Sequence, residues 1–132
     1  MKMETKREIG DIGEEKAVEY LVKKGYQILA KNWYCGHREV DIIAYSPEKT
    51  KTGKPSTIVF VEVKTRSYNY VEDPVKSVTR KKQQLVVEAA NAYISRNDID
   101  MDARFDIIIV TTKGEQFDIE HIEEAFYPMV NR

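Results

Sequence analysis

Cysteine is almost absent. Cys35 stands alone, so no disulfide can form within the chain. Histidine is nearly as scarce, and His37, His121 and Cys35 make no zinc-ligand spacing. A disulfide scaffold and a zinc finger are both excluded, and a reducing, cytoplasmic setting is expected. Long apolar runs are missing too. None approaches the ~20 residues that span a bilayer, so no membrane association is expected. The basic start, Met1 to Lys6, is followed by no apolar segment, which argues against a secretory signal. Net charge is nearly nil, at −1 with a pI near 6.2. That lacks the strongly basic footprint of many nucleic-acid-binding domains. There is no internal repeat and no low-complexity segment.

What is present fits an ordinary globular chain. Hydrophobic residues make up 42% and charged residues 33% of 132 positions. That length predicts a single domain, 1–132, with one core. The charge is segregated. Residues 1–97 carry 18 Lys/Arg against 13 Asp/Glu, whereas 98–124 carry only Arg104 and Lys113 against nine acids. The first segment leaves room for a local basic face.

Periodicity predicts a helix from about Lys6 to Lys24, stopped by Gly25. Strands follow at Tyr26–Asn32 and Arg38–Tyr45, joined by a turn around Tyr34-Cys35-Gly36-His37. Residues 46–56 read as a flexible polar loop. A third strand spans Thr57–Thr65. After it comes a loop, Arg66–Lys76, containing the exposed-looking Tyr68 and Tyr70. A second helix is expected over Val78–Arg96. A fourth strand covers Arg104–Thr112, whose run Ile107-Ile108-Ile109-Val110 suggests burial on both faces. Lys113-Gly114-Glu115 turns into a short last strand, Gln116–Ile122. The order α-β-β-β-α-β-β predicts an α/β fold with a mixed central sheet flanked by helices.

Four charged residues sit where apolar ones belong. In Ile58-Val59-Phe60-Val61-Glu62-Val63-Lys64, a period of two puts Glu62 and Lys64 on the face of Ile58 and Phe60. Isolated charges are costly to bury, so this pair needs a partner, a metal or water. Asp41 lies in a matching strand and shares a face with Glu39 and Ile43. Alone, that pattern equally suits a solvated edge. At about 100° per residue, Glu14 falls amid Gly10, Ala17, Val18 and Leu21, on the first helix's apolar stripe. Lys82 falls likewise amid Val78, Leu85, Val86, Ala89 and Tyr93. A snorkelling lysine at a helix start would look the same.

Acids that converge repel one another unless a cation joins them. All-oxygen ligands suit magnesium or manganese. Asp41 and Glu62 would bind directly, with the Val63 carbonyl as a third ligand and Glu14 through water or a second ion. Lys64 would hold or polarise an attacking water and offset charge on a phosphodiester. Lys76, Arg80, Lys81 and Lys82 form a basic patch for nucleic acid, although such clusters are often plain solvated surface.

These residues resemble the PD-(D/E)XK, or restriction-endonuclease-like, nuclease superfamily. More closely, the chain is similar to the YraN family, itself similar to archaeal Holliday-junction resolvases. The matching pieces are Gly13-Glu14 with Ala17 and Leu21, Gly25-Tyr26, Asn32, Glu39 to Ala44, Phe60 to Arg66, Val78 to Gln83, and Arg104-Phe105-Asp106. They span about Gly10 to Phe126. The resemblance implies a restriction-endonuclease-like core and catalytic roles for Glu14, Asp41, Glu62 and Lys64. Lys82 and Gln83 would assist, and Arg66 would join the DNA-binding residues. Asp106 matches as well, but a structural role at a strand end fits it equally. Arg38 stands where the family usually has glycine.

The expected function is a magnesium- or manganese-dependent endodeoxyribonuclease acting on DNA, with branched DNA as a candidate substrate and a homodimer as the form that cuts it. The alternatives are a non-catalytic nucleic-acid-binding or adaptor domain, with Tyr68 and Tyr70 stacking on bases or making dimer contacts, and a purely structural protein with a buried Glu62–Lys64 pair.

Overall fold

A computed structural model describes residues 6–69, 76 and 78–128. The elements run α1 (Lys6–Lys23), β1 (Gln27–Cys35), β2 (Arg38–Tyr45), β3 (Thr57–Ser67), α2 (Arg80–Arg96), β4 (Asp102–Lys113) and β5 (Gln116–Phe126). The five strands form one sheet in sequential order. Only the β3–β4 pair, joined through α2, is parallel; the others are antiparallel. This is the α/β, α-β-β-β-α-β-β arrangement expected from the sequence, consistent with a restriction-endonuclease-like core.

Each helix covers one face. Ala17 and Leu21 of α1 pack with Ile42, Ala44, Val59, Val61, Ile108 and Val110. Val86, Ala89 and Ala90 of α2 pack with Ile43, Ile58, Phe60, Ile107 and Ile109. The run Ile107 to Val110 therefore feeds both cores, as a strand covered on both faces must.

Glycine sets two features of α1. Gly25 (φ 93°) closes it: its N–H donates to the Val22 carbonyl and that of Tyr26 to the Leu21 carbonyl. This paired arrangement satisfies the last helical acceptors. Gly13 is the point of closest approach to the sheet, where a Cβ would overlap the Thr65 side chain. The most buried line on α1 is Gly13, Ala17 and Leu21, so Glu14 lies at the edge of that stripe rather than its middle.

Several details differ from expectation, β4 and β5 among them, which run to Asp102 and Phe126. Tyr34 and Cys35 are strand, not turn. The hairpin turns on Gly36-His37 alone, with Gly36 at φ 64°, the position where a two-residue loop favours glycine. The helix α2 starts at Arg80 because Thr79 caps it, its hydroxyl accepting from the Lys82 N–H at 3.2 Å. Residues 46–56 form a closed structure, with a Lys49–Pro55 bridge and a Thr50 N–H bond to the Lys54 carbonyl at 2.7 Å. The loop expected over 66–76 begins only after β3 ends at Ser67, and Tyr70 lies outside the described residues.

Candidate active site

The site forms where β2 parts from β3. Their pairing runs from Tyr45–Ile58 to Ile42–Val61 and stops. One residue on, the Asp41 carboxylate takes the Val63 N–H at 2.8 Å, replacing the missing ladder bond. The alternation of β2 breaks at the same place. Val40 joins the α2-side core with Ile43, although they are three positions apart. In β1, Ala30 and Trp33 do the same. Asn32 and Asp41, the rung between, drop out of the β1–β2 pairing, and Asn32 takes φ 48°. A paired irregularity thus turns Asp41 out of the ladder, a common use of sheet defects beside functional sites.

Turned out in this way, Asp41 meets two other acids. Carboxylate oxygens of Glu14, Glu39 and Asp41 lie within 4.8 Å of one another. The Glu14 carboxylate shares its cleft with the Asn32 side chain. Burial raises its pKa, Asn32 opposes this, and Glu39 and Asp11 push it further up. Asp41 is only 9% exposed. Burial pushes its pKa up to about 6; the Val63 N–H opposes this, and Glu14 and Glu39 add to it. An open cleft beside the cluster is lined by Asp11, Glu14, Glu15, Val18, Glu19, Lys31 and Asn32.

Glu62 is buried more deeply still, at 2% exposure. It lies outside the 4.8 Å group and is turned toward α2, where its Oε2 is 3.8 Å from the Lys82 Nζ. Its Oε1 is buried with no hydrogen-bond partner among the described residues. Burial first, and then the Asp41 charge, push its pKa up to about 8, while Lys82 and Lys64 pull it down. The lysine expected on the apolar stripe of α2 therefore does point inward. Lys82 precedes buried Val86 by one turn and keeps its side chain 33% exposed.

The other expected residues lie at the ends of β3 and α2 or face elsewhere. Lys64 and Arg66 are half-buried at the end of β3. Lys76, Arg80 and Lys81 are exposed around the start of α2. The Gln83 side-chain amide donates to the Val78 carbonyl at 3.0 Å, so it fastens the chain leading into α2. Val63 meets Asp41 through its N–H. Arg38 faces α2, 3.4 Å from Glu88, and not the acids. Tyr68 is exposed, with the Lys113 ammonium 5.1 Å from its ring centre.

A sequence profile of the Uncharacterised protein family UPF0102 matches residues 13–110. A UPF0102 protein of Phocaeicola vulgatus is 41% identical over 124 residues, 93% of this chain and 95% of its own. One from Flavobacterium psychrophilum is 45% identical over 91% and 94%. A Chlorobium chlorochromatii relative is 39% identical over 91% and 92%. The chain belongs to UPF0102. The stretch matched to UPF0102 takes in Glu14, Glu39, Asp41, Glu62, Lys64 and Lys82, and so the whole site.

Glu39 is the site residue that sequence reasoning left out. Its signal was present, two residues from Asp41 in the same strand, but there it looked like one half of a solvated edge. Asp106, in contrast, is engaged elsewhere. It is fully buried and accepts from both Arg104 nitrogens at 2.9 Å, from the Glu124 N–H at 3.1 Å, and lies 2.7 Å from His121 Nε2. Arg104 also donates to the Tyr26 hydroxyl at 2.7 Å, and His121 Nδ1 meets the Tyr20 hydroxyl at 3.1 Å. The network ties β4, the irregular part of β5 and the C-terminal end of α1 together.

Proposed function

We propose that this protein is a metal-dependent endodeoxyribonuclease that hydrolyses phosphodiester bonds, with branched DNA as its substrate class. The observation that carries this reading is the Glu62 carboxylate. It is buried, one oxygen lacks a hydrogen-bond partner among the described residues, and a second buried acid, Asp41, stands near enough to raise its pKa. Leaving a buried charged group unsatisfied costs several kcal/mol in order of magnitude, and a divalent cation relieves that cost.

The donor set fits magnesium or manganese, since every candidate is an oxygen. Asp41 and Glu62 would hold the ion, with the Val63 carbonyl beside them and Glu14 through water. Glu39 adds a carboxylate on the side of Glu14 and Asp41. Such an ion supplies Lewis acidity at the scissile phosphate and makes water a better nucleophile.

The protein's own groups do the rest. Lys64 orients the attacking water by donating to it and offsets charge that develops on the phosphate. Lys82 holds Glu62 in place from the α2 side. Arg66 at the end of β3, with Lys76, Arg80 and Lys81 around the start of α2, would serve as phosphate contacts. Cutting two strands of a symmetric junction calls for two such sites, and hence a homodimer.

The test is cleavage of linear, flapped and four-way DNA by wild type and Asp41→Ala, with magnesium or manganese. Cutting by wild type alone is the expected result. If neither cuts but both retard DNA in a gel, the nuclease reading fails and a DNA-binding module takes its place.

A further inference from the structure

One large aromatic side chain beside the acids has no structural work that explains its position. Tyr34 is 59% exposed at the tip of the β1–β2 hairpin. Its register partner is Glu39, whose negative charge reaches the Tyr34 hydroxyl and raises its pKa. Glu39 in turn belongs to the cluster with Glu14 and Asp41. The ring therefore stands at the rim of the candidate metal site.

The hairpin that carries it is fastened from behind. Trp33 packs edge-on against Tyr93 of α2, with ring centres 5.2 Å apart. The Arg96 guanidinium lies 5.7 Å from the Trp33 ring centre and donates to the Cys35 Sγ at 3.4 Å. Arg38, opposite Cys35, meets Glu88. Trp33, Cys35 and Arg38 all engage α2, so alternation turns Tyr34 to the other face, toward the acids and solvent. The outcome is an aromatic face held on a braced hairpin, with its polar tip beside Glu39 and its apolar surface wet. Folding gains little from leaving that surface exposed, whereas a nucleobase would cover it.

We propose that Tyr34 is a stacking platform for an unpaired base next to the scissile phosphodiester, so that the protein selects DNA that is locally unpaired at the cut over continuous duplex. The proposal rests on the nuclease reading for the position of the cut, and on the ring alone for the contact. A paired base is already stacked between its neighbours and has no free face to offer. An unpaired one has, and base–aromatic stacking tolerates any sequence.

The experiment uses the full chain and two DNAs that carry 2-aminopurine. One has the probe at the first unpaired position of a flap, and the other has it inside a continuous duplex. Calcium replaces magnesium so that binding is read without cutting. Wild type and Tyr34→Phe are expected to quench the flap probe. Tyr34→Ala is expected to lose the quenching and about tenfold in flap affinity, while its duplex affinity and Tm stay as in wild type.

Equal quenching by wild type and Tyr34→Ala overturns the proposal, as does equal weakening on both DNAs. If Tyr34→Phe fails as badly as Tyr34→Ala, the hydroxyl matters and the ring does not, which also overturns it. Magnesium then separates the two readings. The stacking pattern without cleavage keeps the platform and removes the nuclease. Cleavage without the pattern does the reverse, and no binding to either DNA removes both.

Discussion

Glu62 shows how one residue reports on a missing partner. A carboxyl whose folded pKa, about 8, exceeds its usual 4.5 binds more protons folded than unfolded. Between those values, unfolding stability must fall as pH rises. Asp41, raised from 3.8 to about 6, contributes the same sign over a lower window. In EDTA the protein is therefore expected to lose stability from about pH 5 to pH 8, by an amount on the order of a few kcal/mol. Magnesium should reverse this, because a cation bound to the ionised acids stabilises the form that burial disfavours. Glu62→Gln should flatten the EDTA profile and raise the Tm at pH 8, and should abolish any rescue by magnesium at that position. Thermal melts across pH, with EDTA or magnesium, read all three. A metal-free Tm that climbs from pH 5 to pH 8 contradicts the argument.

At the scale of elements, the site depends on how closely α1 approaches β3. Gly13 is buried against Thr65, and Glu14 follows it directly. Gly13→Ala adds a methyl where the Thr65 hydroxyl already sits. Overpacking of this kind costs about 1–3 kcal/mol, and the helix relieves it by moving off the sheet, carrying Glu14 away from Asp41. The expected outcome is a Tm lowered by several degrees together with weaker magnesium binding by calorimetry. Gly10→Ala, where a Cβ meets nothing within 4 Å, is the control that should leave magnesium binding unchanged and, as a helix-interior glycine replaced by alanine, raise rather than lower the Tm. A Gly13→Ala protein that melts lower but binds magnesium as wild type does would separate helix packing from the site.

The same scale explains what could be read from the sequence. The elements were legible because their signals are local: period two in β2 and β3, the apolar run of β4, Gly25 after α1. Lys82 was legible because a lysine on an apolar stripe has few places to go, and it reaches Glu62. The break at Asn32 and Asp41 was not legible. A regular strand would set Asp41 opposite Glu62, and strict alternation was the only guide. Asn32 left that pattern by adopting φ 48°, which asparagine tolerates better than most residues. The acid cluster consequently gathers Glu39 with Glu14 and Asp41, and Glu62 faces Lys82 from the other side.

For the whole molecule, stability and chemistry lie in different places along α1. Glu14 belongs to the acid cluster, whereas Tyr20, six residues or about 9 Å further along the helix, belongs to the network around Asp106. Asp106 shares a rung with Val61, so its side chain lies on the α1 face while Glu62 is turned to α2. Arg104, His121 and the Glu124 N–H hold the Asp106 carboxyl below its ordinary pKa against the cost of burial. Its contribution is present above about pH 4 and is lost as pH falls through the depressed value. Asp106→Asn removes that charge and strands Arg104. Breaking a buried pair costs about 3–5 kcal/mol, nearer the low end here because Arg104 keeps some contact with water. The variant should melt well below wild type at pH 7 and converge toward it in acid. Measured on the folded fraction at low temperature, its magnesium affinity should equal that of wild type, since none of the groups it loses touches Glu14, Asp41 or Glu62. A loss of magnesium binding in step with the loss of stability would instead place Asp106 among the site residues, the role left open when it was known only as the last residue of Arg104-Phe105-Asp106.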